Sequence, residues 1–114
     1  MTQIPNYSTE RNLTIGDATP WGAAETIEQL APGIAFVSTP SHGGFYLSPS
    51  RNACVPYAWR KASFNQQALS GWYEEDCDAC MVALWFTAEI GCNNRAAAQR
   101  CFDHWIAPKL KRAA

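Results

Sequence analysis

The sequence has few charged residues and little catalytic equipment. Only 17% of its 114 residues are charged, against roughly 25% in typical soluble domains. It contains two histidines. Its formal net charge is −1, which gives no overall attraction to nucleic acid or to a membrane surface. The hydrolase motif G-x-S-x-G is also missing. The sequence therefore does not identify a reaction by itself.

Long apolar runs and a disulfide framework are missing as well. No stretch approaches the roughly 18 apolar residues that span a bilayer, and the first residues lack the basic and apolar regions of a secretory signal. The five cysteines are Cys54, Cys77, Cys80, Cys92 and Cys101. An odd number without framework spacing predicts reduced thiols. We therefore expect a cytoplasmic protein without membrane contact.

The hydrophobic content is sufficient for one domain. It reaches 47% and includes five tryptophans, enough for a single core at this length. Residues 1–20 are polar and rich in turn formers, which predicts an extended N-terminal arm. Residues 21–114 are then expected to form a single α+β domain.

Two apolar segments predict a β-hairpin. Residues 34–39 and 45–48 are rich in β-branched and aromatic side chains and flank the glycine-containing loop at residues 40–44. Residues 22–30 are a weaker candidate for a third strand, because their composition also suits a helix. We expect a small antiparallel sheet of two to three strands.

The second half of the sequence predicts helices. Ser63 and Gln66 fit a capping box, which indicates a short helix over residues 64–69. A helical stripe after Gly71 predicts the first main helix; it consists of Tyr73, Cys77, Cys80, Met81, Leu84 and Trp85. A second stripe, between Asn94 and a terminating Pro108, predicts the other main helix. Both helices are expected on one side of the sheet.

Four of the ten acidic residues lie within five positions: Glu74, Glu75, Asp76 and Asp78. On the predicted helix they would face outward near its start, where carboxylates are favourable without any partner. Four carboxylates are more than a helix start needs, and their mutual repulsion offsets part of the gain. A partner-binding surface is therefore an equal alternative. Trp72 and Tyr73 would then be exposed aromatic anchors.

The pair Cys77 and Cys80 forms a C-x-x-C motif, which alone indicates redox chemistry or half of a zinc site. We favour core packing, because the helical stripe places both thiols on the apolar face and no second C-x-x-C follows. The open alternatives are redox use and a metal site completed by Cys92, Cys101 or His104.

His42 lies in the loop Ser41-His42-Gly43-Gly44, where glycines let backbone amides approach a ligand closely. The simpler interpretation is a hairpin turn whose imidazole bonds to the backbone. The alternative is an acid–base or metal-assisted hydrolytic site that His42 forms with Glu74, Glu75 or Asp76. For His104, near the C-terminal end of its helix, we expect a surface or dipole-stabilising role.

Three segments carry a resemblance to a known family. They are Thr19-Pro20-Trp21-Gly22, the stretch from Ser38 to Ser48 (STPSHGGFYLS), and the stretch from Gly71 to Cys77 (GWYEEDC). With them the chain resembles an uncharacterised family of small proteins carried by proteobacterial plasmids, integrative elements and phages. The resemblance covers most of residues 19–90. It implies a mobile-element setting rather than a mechanism, and by analogy an anti-CRISPR or antirestriction role.

Our first hypothesis is an inhibitor of a bacterial defence complex in the host cytoplasm. The acidic residues would replace DNA phosphates in the basic groove of a CRISPR effector or restriction subunit, without direct nucleic-acid contact, cofactor or metal. The second hypothesis is the hydrolytic site at His42. A third is structural: the glycine loop, Trp21 and the acidic segment hold one another in place, so that His42→Ala costs stability before activity.

Overall fold

The fold is that of a computed structural model, in which residues 12–91 and 93–113 are described. Its strands are β1 (Ala18–Thr19), β2 (Gly22–Ala23), β3 (Thr26–Ala31), β4 (Ile34–Ser38), β5 (Gly43–Leu47) and β6 (Trp72–Glu74). Its α-helices are α1 (Pro49–Cys54), α2 (Tyr57–Lys61), α3 (Ala79–Trp85), α4 (Thr87–Ile90), α5 (Arg95–Cys101) and α6 (Ala107–Ala113). The α+β class predicted from the sequence is confirmed.

The main sheet is antiparallel, with the strand order β3-β4-β5-β6. The predicted hairpin is confirmed, with Ile34 opposite Leu47 and Ser38 opposite Gly43. The candidate third strand forms as β3, whereas β2 pairs separately with β1. The sheet thus has one strand more than expected, and that strand is β6.

The two faces of the main sheet are covered differently. One face packs against the helices in a buried cluster, which includes Ile34, Leu47 and Tyr73 from the sheet and Met81 and Val82 from α3. Side chains alternate along a strand, so the residues between them lie on the opposite face, which we call the outer face. It carries Ala35, Val37, Gly44, Tyr46 and Trp72. Trp21 packs on this outer face beside Gly44 and Trp72.

The first main helix begins later than the stripe predicted. Tyr73 lies in β6, opposite Phe45, and its hydroxyl donates to Asn52 Oδ1 at 2.6 Å. A turn follows, and α3 begins at Ala79. The prediction of a helix from Gly71 was wrong because an aromatic residue four positions before Cys77 fits a buried strand as well as a helical stripe.

The segment Phe64–Ser70 is a 3₁₀ segment rather than a capped α-helix. Ser63 Oγ accepts from the Ala68 N–H at 3.0 Å, so the predicted capping box with Gln66 does not form. Asn65 and Gln66 adopt left-handed backbone conformations, with φ of 51° and 54°.

The last helix continues past Pro108, contrary to prediction. The π-helical turn Phe102–Ile106 joins α5 to α6 without a break. Proline removes one backbone N–H from a helix, so the regular hydrogen-bond pattern is interrupted at Pro108. Local irregularities in helices often take the form of a π turn, and here one lies just before the proline. Within the described ranges no helix is long and apolar enough to cross a membrane.

Candidate functional site

Three segments that are distant in sequence meet at one end of the outer face. They are the turn at residues 19–22, the loop at residues 41–44 and the acidic segment at residues 74–76. The carbonyl of Trp21 accepts from Ser41 Oγ at 3.1 Å, and Thr39 Oγ1 lies at the same distance from it. The Glu75 N–H donates to the Gly43 carbonyl at 2.9 Å. The three sequence motifs therefore form one local structure.

Strand register determines which acidic side chains meet His42. Gly44 lies opposite Glu74, and the Glu75–Gly43 hydrogen bond extends the ladder by one residue. Asp76 lies beyond this ladder, in the turn that follows β6, and the turn brings its carboxylate near His42 and Glu74. Glu75 faces the other way, because its Oε2 lies 3.3 Å from where a Cβ of Gly43 would be.

The ligand atoms of His42, Glu74 and Asp76 all lie within 4.8 Å of one another. Glu74 is buried, whereas the imidazole of His42 and the carboxylate of Asp76 are exposed. One imidazole nitrogen and two carboxylates thus converge from two adjacent strand ends. The structure brings together three of the four residues suggested for a hydrolytic site, and Glu75 lies outside the group.

Glu74 is held in place by the backbone of the following turn. Its Oε2 accepts from the N–H groups of Asp76 at 3.0 Å and of Cys77 at 3.1 Å. These charge-assisted bonds compensate the burial of a carboxylate. They also fix the turn that carries Asp76, so Glu74 organises the site as well as contributing to it.

The loop around His42 is held by its backbone. The His42 carbonyl accepts from the Thr39 N–H at 2.8 Å and from Thr39 Oγ1 at 2.7 Å. The His42 N–H donates to the same hydroxyl at 3.1 Å. Over residues 12–91 and 93–113, the imidazole makes no hydrogen bond to the backbone, so the simpler turn interpretation does not account for the side chain.

Gly44 lets Trp21 cover the outer face beside these residues. A Cβ at Gly44 would lie 2.6 Å from Trp21 Cη2, closer than any side chain tolerates. The Trp21 ring packs edge-on against Trp72 with a centroid separation of 5.8 Å. Its Nε1 is buried and has no hydrogen-bond partner among the described residues.

The acidic residues are divided between interior and surface. Asp78 is fully buried, and its Oδ2 accepts from the Phe64 N–H at 2.9 Å. Burial raises the pKa of Asp78 to about 6, although the Phe64 hydrogen bond and the charge of Lys109 lower it. Four outward carboxylates were predicted, which is wrong for Glu74 and Asp78, because both accept backbone hydrogen bonds inside the fold. Glu75 and Asp76 are exposed.

The predicted aromatic anchors are also largely enclosed. Tyr73 is fully buried, and burial raises the pKa of its hydroxyl. Trp72 is half-buried between Trp21 and Tyr46. Tyr73 cannot contact a partner because its side chain lies between the sheet and the helices.

The four described cysteines differ in burial: Cys80 is buried, Cys77 and Cys101 are half-buried, and Cys54 is exposed. Cys80 is buried in the core, as predicted, and its thiol donates to the Cys77 carbonyl at 3.2 Å. Cys77 is half-buried in the turn before α3. Burial raises the pKa of both thiols, and acidic neighbours add to the rise, which opposes the thiolate needed for redox chemistry.

The alternative metal site around these cysteines has less support than the one at His42. In the described part of the chain, the potential metal-binding group of three contains neither a cysteine nor His104. His104 is exposed and packs its ring against Trp105. Cys92, proposed as a further ligand, lies outside the described residues.

Searches of curated proteins and of solved structures found no match to this chain. A family described as a domain of unknown function, DUF7007, matches residues 14–113. This range includes all three motif segments and every residue of the site described above. The chain belongs to the DUF7007 family.

Proposed function

We propose that His42, Glu74 and Asp76 bind a divalent cation and that the protein is a small metal-assisted hydrolytic enzyme. The observation that carries this proposal is the convergence of the three ligand atoms within 4.8 Å. His42 lies 32 positions before Glu74 and 34 before Asp76, so the three residues meet through the pairing of β5 with β6 and the turn after β6 rather than through sequence proximity.

The donor set favours a cation of intermediate hardness. Imidazole suits zinc, iron and nickel, whereas carboxylates suit magnesium and manganese. One imidazole with two carboxylates therefore fits Mn²⁺ or Zn²⁺. Metal–ligand bonds of about 2.1 Å require donor atoms about 3–3.5 Å apart. Small rotations of the exposed His42 and Asp76 side chains towards the fixed Glu74 would reach that spacing.

Three protein ligands leave coordination positions open for water and substrate, as in catalytic zinc sites. A bound cation lowers the pKa of its water and polarises the group under attack. The chain's own contribution is to position the ligands, with Glu74 held by the turn and His42 by Thr39. Because His42 and Asp76 are exposed, the site is accessible to a large substrate.

Calorimetric titration of the metal-free protein with Mn²⁺ and Zn²⁺ tests the proposal. We expect one site, with an affinity at least about tenfold weaker in His42→Ala and in Asp76→Asn. Glu75→Gln is the matched control, because it removes an adjacent exposed carboxylate outside the group, and its affinity should stay within about twofold of the parent's. Equal losses in all three variants would mean diffuse attraction to negative charge and would contradict the proposal.

The same variants separate this proposal from a purely structural role. His42 has an exposed imidazole, so His42→Ala should change the unfolding free energy of the metal-free protein by less than about 0.5 kcal/mol. Added Mn²⁺ should stabilise the parent but not this variant. A large loss of stability without metal would favour the structural role.

The inhibitor of a bacterial defence complex is a second candidate. The adjacent, exposed carboxylates of Glu75 and Asp76 support it, as does the resemblance to proteins of mobile elements. Burial of Glu74, Asp78 and Tyr73 reduces the surface on which it depends. We expect co-precipitation of a CRISPR or restriction subunit at low salt and its loss with Glu75→Gln/Asp76→Asn. Retention by this double variant would exclude acidic mimicry.

A further inference from the structure

A cleft separate from the His42 group lies between the end of α2, the segment Phe64–Ser70 and α6. It has a volume of about 520 Å³, within the range of small-molecule binding pockets. Three cations line it, together with Ser63 and the side-chain amides of Asn65 and Gln66. We call it the basic cleft.

The cations of the basic cleft are Lys61, Lys109 and Arg112, which come from two different helices. Lys109 Nζ donates to the Ala62 carbonyl at 2.9 Å, which leaves two of its three N–H donors for other partners. No salt bridge to any of the three cations is found within the ranges 12–91 and 93–113. Lys109 interacts electrostatically with the buried Asp78, so the cleft combines one cation that is partly balanced within the fold with Lys61 and Arg112, for which no ion pair is found in the same ranges.

The wall of the basic cleft has an unfavourable backbone conformation. Asn65 and Gln66 are consecutive non-glycine residues with positive φ, and each such residue costs on the order of 1–3 kcal/mol. Both also line a neighbouring cleft of about 380 Å³ beside Thr19 and Trp72. Backbone strain of this kind concentrates at binding sites, and here it lies where the two clefts adjoin.

From this geometry we infer that the basic cleft binds phosphate groups, either of a free nucleotide or of a nucleic-acid strand. A ligand with a single carboxylate would balance only one of the three positive charges, whereas a phosphate-bearing ligand carries more negative charge. Lysines are also common phosphate ligands. The exposed residues Asn65 and Gln66 add amide N–H donors for the remaining oxygens, whereas the hydroxyl of Ser63 already donates to the Arg60 carbonyl. The inference does not depend on the proposed metal site, because no residue is shared between them.

Binding of three probes to the intact protein tests the inference: sodium pyrophosphate, ATP and a fluorescein-labelled single-stranded DNA of about 12 nucleotides. We expect saturable binding at about 50 mM salt that weakens at about 200 mM. The double variant Lys61→Ala/Arg112→Ala should lose at least about tenfold in affinity. Lys111→Ala is the control, because Lys111 is an exposed cation of the same helix outside the cleft, and its loss should stay within about twofold.

The probes also identify the source of the phosphate. Binding of DNA without binding of ATP or pyrophosphate assigns the cleft to a nucleic-acid strand, whereas comparable binding of ATP assigns it to a nucleotide. The inference is overturned if no probe binds at low salt. It is equally overturned if Lys111→Ala weakens binding as much as the double variant does, because attraction would then come from the whole basic end.

Discussion

Neighbouring acidic residues in this chain have different roles, and backbone hydrogen bonds decide which. Glu74 and Asp78 turn inward because each finds backbone N–H donors at about 3 Å. Glu75 and Asp76 remain exposed. The acidic run is evident in the sequence, but charge and spacing do not reveal which of its carboxylates will accept backbone hydrogen bonds.

The raised pKa of Asp78 predicts a specific dependence of stability on pH. The folded protein binds this proton more tightly than the unfolded chain, because the pKa rises from an ordinary 3.8 to about 6. Its contribution is therefore fully favourable at low pH and is lost as the pH rises through about 4 to 6. The unfolding free energy of the parent, relative to Asp78→Asn, should fall by about 2 kcal/mol over this interval.

Urea unfolding at a series of pH values measures this difference. Asp78→Asn keeps an acceptor for the Phe64 N–H and removes the titrating group, so the comparison isolates one proton. Glu75→Gln, which changes an exposed carboxylate nearby, is the control. Its difference in unfolding free energy from the parent should not show the same change over this pH interval. A difference between the parent and Asp78→Asn that stays constant with pH would contradict the buried, titrating Asp78.

The strands and helices were predictable from sequence where a local pattern has one interpretation. The hairpin of β4 and β5 follows from two β-branched and aromatic segments around a glycine-containing loop. Strand β6 has three residues, too few to show a period, and Tyr73 also fitted a helical stripe. The meeting of His42 with Glu74 and Asp76 depends on pairing across 29 intervening residues, which local patterns do not encode.

Gly44 tests the packing of the β1–β2 hairpin on the outer face. In Gly44→Ala the new methyl group would collide most closely with the Tyr73 carbonyl oxygen and would also meet Trp21 Cη2 at 2.6 Å. We expect a loss of about 1–3 kcal/mol in unfolding free energy, with weaker Mn²⁺ binding because the end of β6 moves. Denaturant unfolding followed by tryptophan fluorescence measures the stability, and a loss below about 0.5 kcal/mol would contradict this packing.

The whole molecule presents two chemically opposite surfaces on a single α+β framework. The end of the outer face collects His42 and carboxylates, whereas the basic cleft by α6 collects lysine and arginine. We propose cation binding at the first surface and phosphate binding at the second. Both surfaces depend on tertiary contacts, so the sequence indicated His42 and the carboxylates but neither their assembly nor the cations of the basic cleft.

Paramagnetic broadening by Mn²⁺ in the NMR spectrum of the isotope-labelled protein shows where on the protein the cation binds. At less than one equivalent of Mn²⁺, we predict selective loss of amide signals from residues 41–44 and 74–77. His42→Ala should abolish this loss, and Glu75→Gln should not. Broadening centred on other residues, or spread evenly over the acidic surface, would contradict a cation site formed by His42, Glu74 and Asp76.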